Sequence, residues 1–202
     1  MNVPFEVPFP IPEPLMGAVL AAYAEPQRAY HDVRHLADVV ARWAEVAEEN
    51  GWTHPREVYL ALLFHDAVYV PGAHDNEEAS AQLALRMLGA EMPEVDAEHV
   101  AHLVRLTARH GHLSPSDVTG EEALFLDCDM AVLGAAPDAY DTYERDIARE
   151  YAAVPPEMFA AGRRRFLEGL LEQERIFLSQ RFHARLDEAA RENLERALGL
   201  HG

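Results

Sequence analysis

The spacing of apolar residues predicts helices along almost the whole chain from residue 15 onward. One apolar stripe recurs at intervals of three and four residues, and it is formed by Leu36, Val39, Val40, Trp43 and Val46. Residues 58–69 are apolar on nearly every side, which is typical of a helix enclosed by other helices. Further helical patterns cover residues 77–88, 95–110, 123–133, 138–151, 156–180 and 182–198. Because the alternation of a strand is missing, we expect an all-α fold, a single-domain helical bundle.

The first 14 residues have a different pattern, because they carry five of the 13 prolines of the chain. Proline at this density blocks helices and central strands, so we expect residues 1–14 to form an extended arm. Phe5, Phe9 and Ile11 are candidates to attach this arm to the body of the protein or to a partner subunit. A partly ordered terminus is the alternative. Residues 15–202 then form one all-helical domain.

The composition excludes several classes of protein. The chain has 35 acidic and 17 basic residues and a formal net charge of −18, which repels nucleic acids and anionic membranes. All basic residues are arginine, which excludes a P-loop lysine and a Schiff-base lysine. A single cysteine, Cys128, excludes disulfides within the chain and cysteine-rich zinc sites. No leader-like segment and no run of 18 apolar residues occurs, so we expect a cytoplasmic protein.

An adjacent histidine and aspartate, His65 and Asp66, interrupt the apolar segment over residues 58–69. A carboxylate buried there must be paired, protonated or bound to a metal ion. Because neighbouring residues on a helix point about 100° apart, a direct hydrogen bond between these two side chains does not easily explain the pair. Two side chains that diverge in this way can share a cation with residues of other helices.

Other helical patterns contain matching polar residues at apolar positions. His35 precedes the stripe residue Val39 by four positions, and His31 lies one turn earlier. Asp127 and Asp129 interrupt a second apolar run further along the chain. Histidines together with carboxylates form a mixed nitrogen and oxygen set that suits a divalent metal ion. The alternative is that each is a core polar residue whose hydrogen bonds are satisfied by its neighbours.

These residues, in this order, resemble the HD superfamily of metal-dependent phosphohydrolases, and in particular its branch of predicted HD phosphohydrolases. The resemblance rests on His35, the His65–Asp66 doublet and a distal aspartate. It continues through residues 30–35, 64–69, 76–81, 107–110, 125–134, 162–163 and 190–194. Asp32 departs from the branch, which usually carries asparagine at that position. The resemblance implies a helical domain of the HD type over roughly Tyr30 to Leu194.

The resemblance also implies a divalent metal cofactor, for which Mn, Fe, Ni, Co, Zn and Mg are all candidates. The metal ligands carried over by position are His35, His65, Asp66 and one of Asp127 or Asp129. We choose Asp129, because Cys128–Asp129 followed by apolar residues best matches the family's last motif. Asp127 is then a candidate for a second metal or for support of the first ligands. His31 and His110 would ligate a second metal, contact phosphate or form hydrogen bonds with the ligands.

The reaction implied by the resemblance is hydrolysis of a small phosphorylated substrate, such as a nucleotide, by a metal-activated water. Asp66 would bind the metal and also orient or deprotonate that water. The candidates to assist the leaving group or to position water are His31, His110 and Glu77. Because the chain has no lysine, the candidates to bind the phosphate are Arg34, Arg109 and Arg163. We expect no nucleic-acid or membrane partner, and we leave a homodimer open.

Two other functions fit the same residues. The chain could be a non-catalytic HD module that binds metal or nucleotide, or a helical interaction protein whose buried histidines and aspartates pair with one another. The presence of all four expected ligands favours the enzyme, because a degenerate module can lose them. Metal analysis and a substrate screen separate the three alternatives.

Overall fold

The computed structural model describes residues 3–200, and every regular element in this range is a helix. This confirms the predicted all-α class. The chain divides into a first compact unit that ends at Ala108 and a second that begins at Arg109. The predicted domain boundaries, an arm over residues 1–14 and one domain over residues 15–202, stay predictions. In the described range, no helix combines the length and the apolar character needed to cross a membrane.

The first unit is built around one buried helix. Its helices are α1 (Glu13–Tyr23), α2 (Val33–Ala47), α3 (Pro55–Phe64), α4 (Asn76–Glu91) and α5 (Ala97–Leu106), and a 3₁₀ turn follows over Thr107–Arg109. Every residue of α3 from Val58 to Phe64 is buried, and α3 packs against α2, α4 and α5. The all-round apolar pattern of this segment therefore reflects burial on every side. Asp32 starts α2, because its carboxylate accepts a hydrogen bond from the backbone N–H of Arg34 (2.8 Å).

The prediction that the central helix continues to residue 69 is wrong, because α3 ends at Phe64. Beyond Phe64, backbone groups form hydrogen bonds with side chains outside the helix. The hydroxyl of Ser80 accepts a hydrogen bond from the N–H of Val68 (3.0 Å), and the amide of Asn76 bonds both the N–H and the C=O of Val70 (3.0 Å each). Residues 65–70 therefore form a turn rather than another helical turn.

The N-terminal arm is attached to the body of the first unit. The ring of Phe9 makes edge contacts with Trp43 and Tyr59, with ring centroids 5.9 Å apart in both cases. The hydroxyl of Tyr59 also donates a hydrogen bond to the backbone carbonyl of Glu6 (2.7 Å). Of the candidate anchors in the sequence, Phe9 is thus seated on α2 and α3. Helix α1 begins at Glu13, one residue before the last proline of the predicted arm.

The second unit contains the remaining helices. They are α6 (Gly120–Met130), α7 (Pro137–Glu150), α8 (Pro156–Glu172) and α9 (Gln180–Leu198), with a 3₁₀ turn over Ala131–Gly134. Helix α9 packs against this turn and against α6 and α8. The approach is close at Gly134, where an added Cβ would lie 2.7 Å from the Cβ of Leu186. Only glycine therefore fits at this contact.

The prediction of a helix over residues 156–180 is wrong at its end, because α8 stops at Glu172. Two side chains of α9 form hydrogen bonds with the backbone N–H and C=O groups around this end of α8. Asp187 accepts hydrogen bonds from the N–H groups of Ile176 (2.8 Å) and Phe177 (3.2 Å). Arg191 donates to Asp187 and to the carbonyls of residues 171, 173 and 174. The connection between α8 and α9 is thus held in an irregular conformation.

Replacing Asp187 with asparagine is expected to lower the free energy of unfolding at pH 7 by about 1–3 kcal/mol. Burial acts to raise the pKa of this carboxyl, but hydrogen bonds from His183, Arg191 and two backbone N–H groups outweigh it and hold the pKa below the ordinary 3.8. The stabilisation is therefore complete above pH 3.8 and is lost as the pH falls through the lower folded-state pKa. Urea unfolding of both proteins between pH 7 and the acid limit of the fold measures this.

The control for this variant is Glu188→Gln, which removes a neighbouring exposed carboxylate of the same helix. It should leave the free energy of unfolding nearly unchanged. The difference between the wild type and Asp187→Asn should shrink as the pH falls below 3.8. A difference that stays constant over that range would contradict the assigned role.

Candidate metal centre

Three side chains of the first unit converge on one point. The Nε2 atoms of His35 and His65 lie 3.0 Å apart. The Oδ2 atom of Asp66 lies 3.0 Å from Nε2 of His65 and 3.6 Å from Nε2 of His35. All three candidate ligand atoms fall within 4.8 Å of one another, which is a spacing that one metal ion can bridge. These three residues therefore form a His/Asp group that could hold a metal ion.

The first turn of α2 and the end of α3 position these side chains. His35 lies in the first turn of α2, and its position on the apolar stripe directs it into the core. His65 directly follows the last residue of α3, and Asp66 lies in the turn after it. The expectation that the two neighbours diverge as on a continuous helix is wrong, because the chain leaves the helix after Phe64. His65 and Asp66 can therefore both point to His35.

The hydrogen bonds of His65 show that this residue fits a metal ion. Its Nδ1 atom lies 2.7 Å from the backbone carbonyl of Leu62. A carbonyl oxygen only accepts, so Nδ1 carries a proton, and in the neutral ring Nε2 then keeps its lone pair. That lone pair faces His35 and Asp66. A histidine whose far nitrogen donates to a carbonyl and whose near nitrogen is unprotonated is in the form that binds a metal ion.

The exposure of the side chains indicates from which side the centre is open. The side chains of His35 and His65 are 2% and 1% exposed, whereas those of Asp66 and His31 are each 18% exposed. A carboxylate beside two buried imidazoles is a donor set of two nitrogens and one oxygen, which suits a first-row divalent ion. A small molecule would approach such an ion past Asp66 and His31.

His31 borders the three-residue group. Its Nε2 atom lies 4.0 Å from Oδ2 of Asp66, and its ring packs on that of Tyr69 with the centroids 4.2 Å apart. The residue precedes α2, which begins at Val33, so it lies in the segment that leads into the helix. This position fits a residue that contacts the substrate or supports the ligands. Its predicted catalytic role stays a prediction.

The two aspartates of α6 have different surroundings within the second unit. The carboxylate of Asp127 accepts hydrogen bonds from the N–H groups of Leu178 (2.8 Å) and Ser179 (2.7 Å) at the start of α9. Burial raises the pKa of Asp127 to about 6, against the opposing effect of these hydrogen bonds. Asp129 instead lies 3.4 Å from Nδ1 of His110. Asp127 therefore has a structural task, and Asp129 is the better candidate for a ligand.

The assignment of Asp129 as a metal ligand together with His35, His65 and Asp66 stays a prediction, as does the catalytic role of His110. Glu77 lies in the first turn of α4 and is half-buried, so its predicted role also stays untested. A carboxylate at that position also interacts favourably with the N-terminus of its helix, whatever its function.

The arginines predicted to bind phosphate interact with carboxylates of the chain: Arg34 with Asp32, Arg163 with Glu144, and Arg109 with Asp117, whose pKa it helps to lower. Arg34 is largely exposed and donates to the carboxylate of Asp32 (2.9 Å). Arg163 donates to Glu144 through two nitrogens and lies over the ring of Tyr143, 4.9 Å from its centroid. Arg109 is exposed at the end of the 3₁₀ turn. For Arg34 and Arg163, phosphate binding would require exchange of a carboxylate partner.

Sequence reasoning missed a tyrosine that supports the centre. The hydroxyl of Tyr23 accepts a hydrogen bond from the backbone N–H of Asp66 (3.2 Å) and lies 3.4 Å from Nδ1 of His65. Burial raises the pKa of Tyr23 well above its ordinary value, so the hydroxyl keeps its proton at neutral pH. The only signal in the sequence is its place on the apolar face of α1, which a core tyrosine would share.

Comparison with known proteins yields no relative for this arrangement. No family model, no curated protein and no solved structure matches the chain. The chemistry of the centre therefore has to be argued from its own side chains. Two imidazole nitrogens and a carboxylate oxygen meet there, at a partly open position, in a protein whose fold is all-α.

Proposed function

We propose that the protein is a metal-dependent phosphohydrolase of the HD type that hydrolyses a nucleotide or another small phosphate ester. The observation that carries the proposal is the convergence of His35 with the adjacent pair His65 and Asp66. The order of these residues along the chain is that of the HD superfamily, and their ligand atoms lie close enough to hold one ion. Supporting this, Nδ1 of His65 donates to the carbonyl of Leu62, which in the neutral ring leaves Nε2 with the lone pair that binds a metal ion.

Each residue has a defined task in this proposal. His35, His65 and Asp66 hold the ion, and Asp129 is the fourth ligand that the sequence adds. When bound, a divalent ion lowers the pKa of water and neutralises charge on phosphoryl oxygens. Asp66 accepts a proton from the attacking water or orients it, because its carboxylate is the exposed member of the group. His31, 4.0 Å from Asp66, donates a proton or a hydrogen bond to the substrate on the open side.

The charge of the protein is consistent with a metal-dependent reaction. With a net charge of −18, the chain as a whole repels a phosphorylated substrate. A divalent cation supplies a local positive centre, and Arg34, Arg109 and Arg163 remain the candidates to add to it. Binding of a small anion in an acidic protein is therefore expected to depend strongly on the ion.

Removal of the metal is expected to abolish phosphate release without unfolding the protein. The experiment starts from protein purified without chelator, measures its metal content by elemental analysis, and screens nucleotides and phosphomonoesters with Mn, Co, Ni, Mg, Fe or Zn. Release of phosphate that stops with chelator and returns with metal supports the proposal. A bound ion without any turnover indicates a binding module, and the absence of an ion indicates that the histidines and Asp66 only pair with one another.

A further inference from the structure

Arg28 is a buried cation next to the candidate metal centre. Its side chain is 0% exposed, and its guanidinium lies 5.1 Å from the ring centroid of Tyr23 and 5.6 Å from that of Tyr69. Burial of a charge is costly unless it is paired and hydrogen-bonded. The buried guanidinium therefore needs hydrogen-bond acceptors, and each of its three nitrogens has at least one in the structure.

The guanidinium joins two segments that carry candidate site residues. Its Nη1 atom donates to the backbone carbonyls of His31 (3.0 Å) and Asp66 (2.7 Å). Its Nη2 atom donates to the carbonyl of Ala67 (3.2 Å), and Nε donates to the carboxylate of Glu25 (3.0 Å). The carbonyls of residues 66 and 67 belong to the turn that follows the end of α3 at Phe64. Arg28 thus joins two segments through hydrogen bonds: the turn that contains Asp66 and the segment that contains His31.

Only arginine fits this arrangement. A guanidinium is planar and carries five N–H groups in fixed directions, so it can reach three carbonyls and a carboxylate at once. A lysine would keep the charge, but the three N–H groups of its single nitrogen cannot serve all four acceptors that the guanidinium has here. The ring of Tyr69 lies between the guanidinium of Arg28 and the imidazole of His31 in this chain of contacts, so Arg28 also contacts the ring that packs on His31.

We propose that Arg28 is a positioning residue of the metal centre, which sets the directions of the Asp66 carboxylate and the His31 imidazole through their backbone carbonyls. This inference rests on the proposed function, since it assumes that these side chains serve a bound ion. If Arg28 only stabilised the fold, its loss would lower the free energy of unfolding but would leave the affinity for metal unchanged.

The test compares Arg28→Lys with a matched control in the other unit, Arg191→Lys. Arg191 also donates to three backbone carbonyls and to a carboxylate, so its replacement removes the same kind of network. The affinity of chelator-treated protein for Mn²⁺ is measured by calorimetry, and stability by urea unfolding. Arg28→Lys is expected to bind Mn²⁺ roughly 10–100-fold more weakly, which is typical for loss of a residue that orients ligands. Arg191→Lys should lose stability but bind Mn²⁺ within about twofold of the wild type.

Two results would overturn the inference: wild-type affinity in Arg28→Lys, or an equal loss of affinity in Arg191→Lys. If Arg28→Lys does not fold, Glu25→Gln serves in its place. This variant removes the negative charge of a partner of the guanidinium that is 43% exposed, and it leaves the arginine itself. It is expected to weaken Mn²⁺ binding in the same direction but less, and an unchanged affinity would count against the inference.

A metal-free measurement separates this inference from the proposed function. The nitrogen resonances of the histidine rings are recorded by NMR in protein kept in chelator. In Arg28→Lys the signals of His31 and His65 should shift, whereas that of His183 in the second unit should not. If the wild type binds no ion, the proposed function fails, and these ring signals still decide the role of Arg28. Unchanged signals of His31 and His65 would refute it.

Discussion

Replacement of Asp66 with asparagine is expected to reduce metal-dependent phosphate release by more than about 100-fold, because loss of a residue that merely orients a ligand already costs 10–100-fold. Asparagine keeps the shape of the side chain. It also keeps the backbone N–H group that donates a hydrogen bond to the Tyr23 hydroxyl and the backbone carbonyl that accepts one from Arg28. It removes the negative charge and can place an amide N–H toward the unprotonated Nε2 of His65. Phosphate release and metal content should therefore fall together, while the circular dichroism of the helices stays unchanged.

The matched control for this variant is Asp38→Asn. Asp38 lies on α2 and is exposed, so the substitution makes the same change of charge away from the three converging ligand atoms. It should keep wild-type activity and metal content. If Asp66→Asn retained its ion and its turnover, the proposed metal centre would be refuted. If it lost activity only because it unfolded, the dichroism would show this.

The second large effect is expected from the two aspartates of α6, which should respond in opposite ways. Asp129→Asn is expected to weaken metal binding by at least about 10-fold with little loss of stability. Asp127→Asn is expected to lower the free energy of unfolding by about 1–3 kcal/mol and to leave metal binding unchanged. The reason is that an asparagine has one amide oxygen for the two N–H groups of Leu178 and Ser179, and its NH₂ group would face one of them.

Calorimetric titration with Mn²⁺ and urea unfolding of both variants measure these effects. The two variants are controls for each other, because they make the same substitution on the same helix two residues apart. Loss of metal binding in Asp127→Asn alone would make Asp127 the fourth ligand. Unchanged metal binding in both would mean that the residues of the first unit hold the ion without either aspartate.

The helical class could be predicted from the sequence because periodicity of apolar residues reports directly on burial. The ends of two helices could not. Helix α3 stops at Phe64 partly because Ser80 takes the N–H of Val68, and α8 stops at Glu172 where Asp187 takes the N–H groups that follow. These partners lie ten or more residues away in sequence, and no local pattern predicts them.

The candidate site was predictable where a polar side chain interrupts an apolar pattern, as His35, His65 and Asp66 do. Tyr23 and Arg28 were not predictable in this way. Both bond backbone groups of an irregular segment, and backbone groups are the same at every residue. A tyrosine on an apolar helix face and an arginine in the middle of a loop look ordinary in a sequence. Only the structure shows which backbone groups these two side chains bind.

The turn after α3 has a consequence for how the protein would acquire its ion. Protein atoms alone hold its backbone, through Tyr23, Arg28, Asn76 and Ser80. If the centre binds an ion as proposed, this turn is therefore expected to be in place when the chain folds, before any cation arrives. Loading is expected to be a late and reversible event, so that one ion can be stripped and a different one supplied without denaturing the chain. The element found in the purified protein would then reflect which cation was abundant, and reconstitution with each in turn would reveal which one supports turnover.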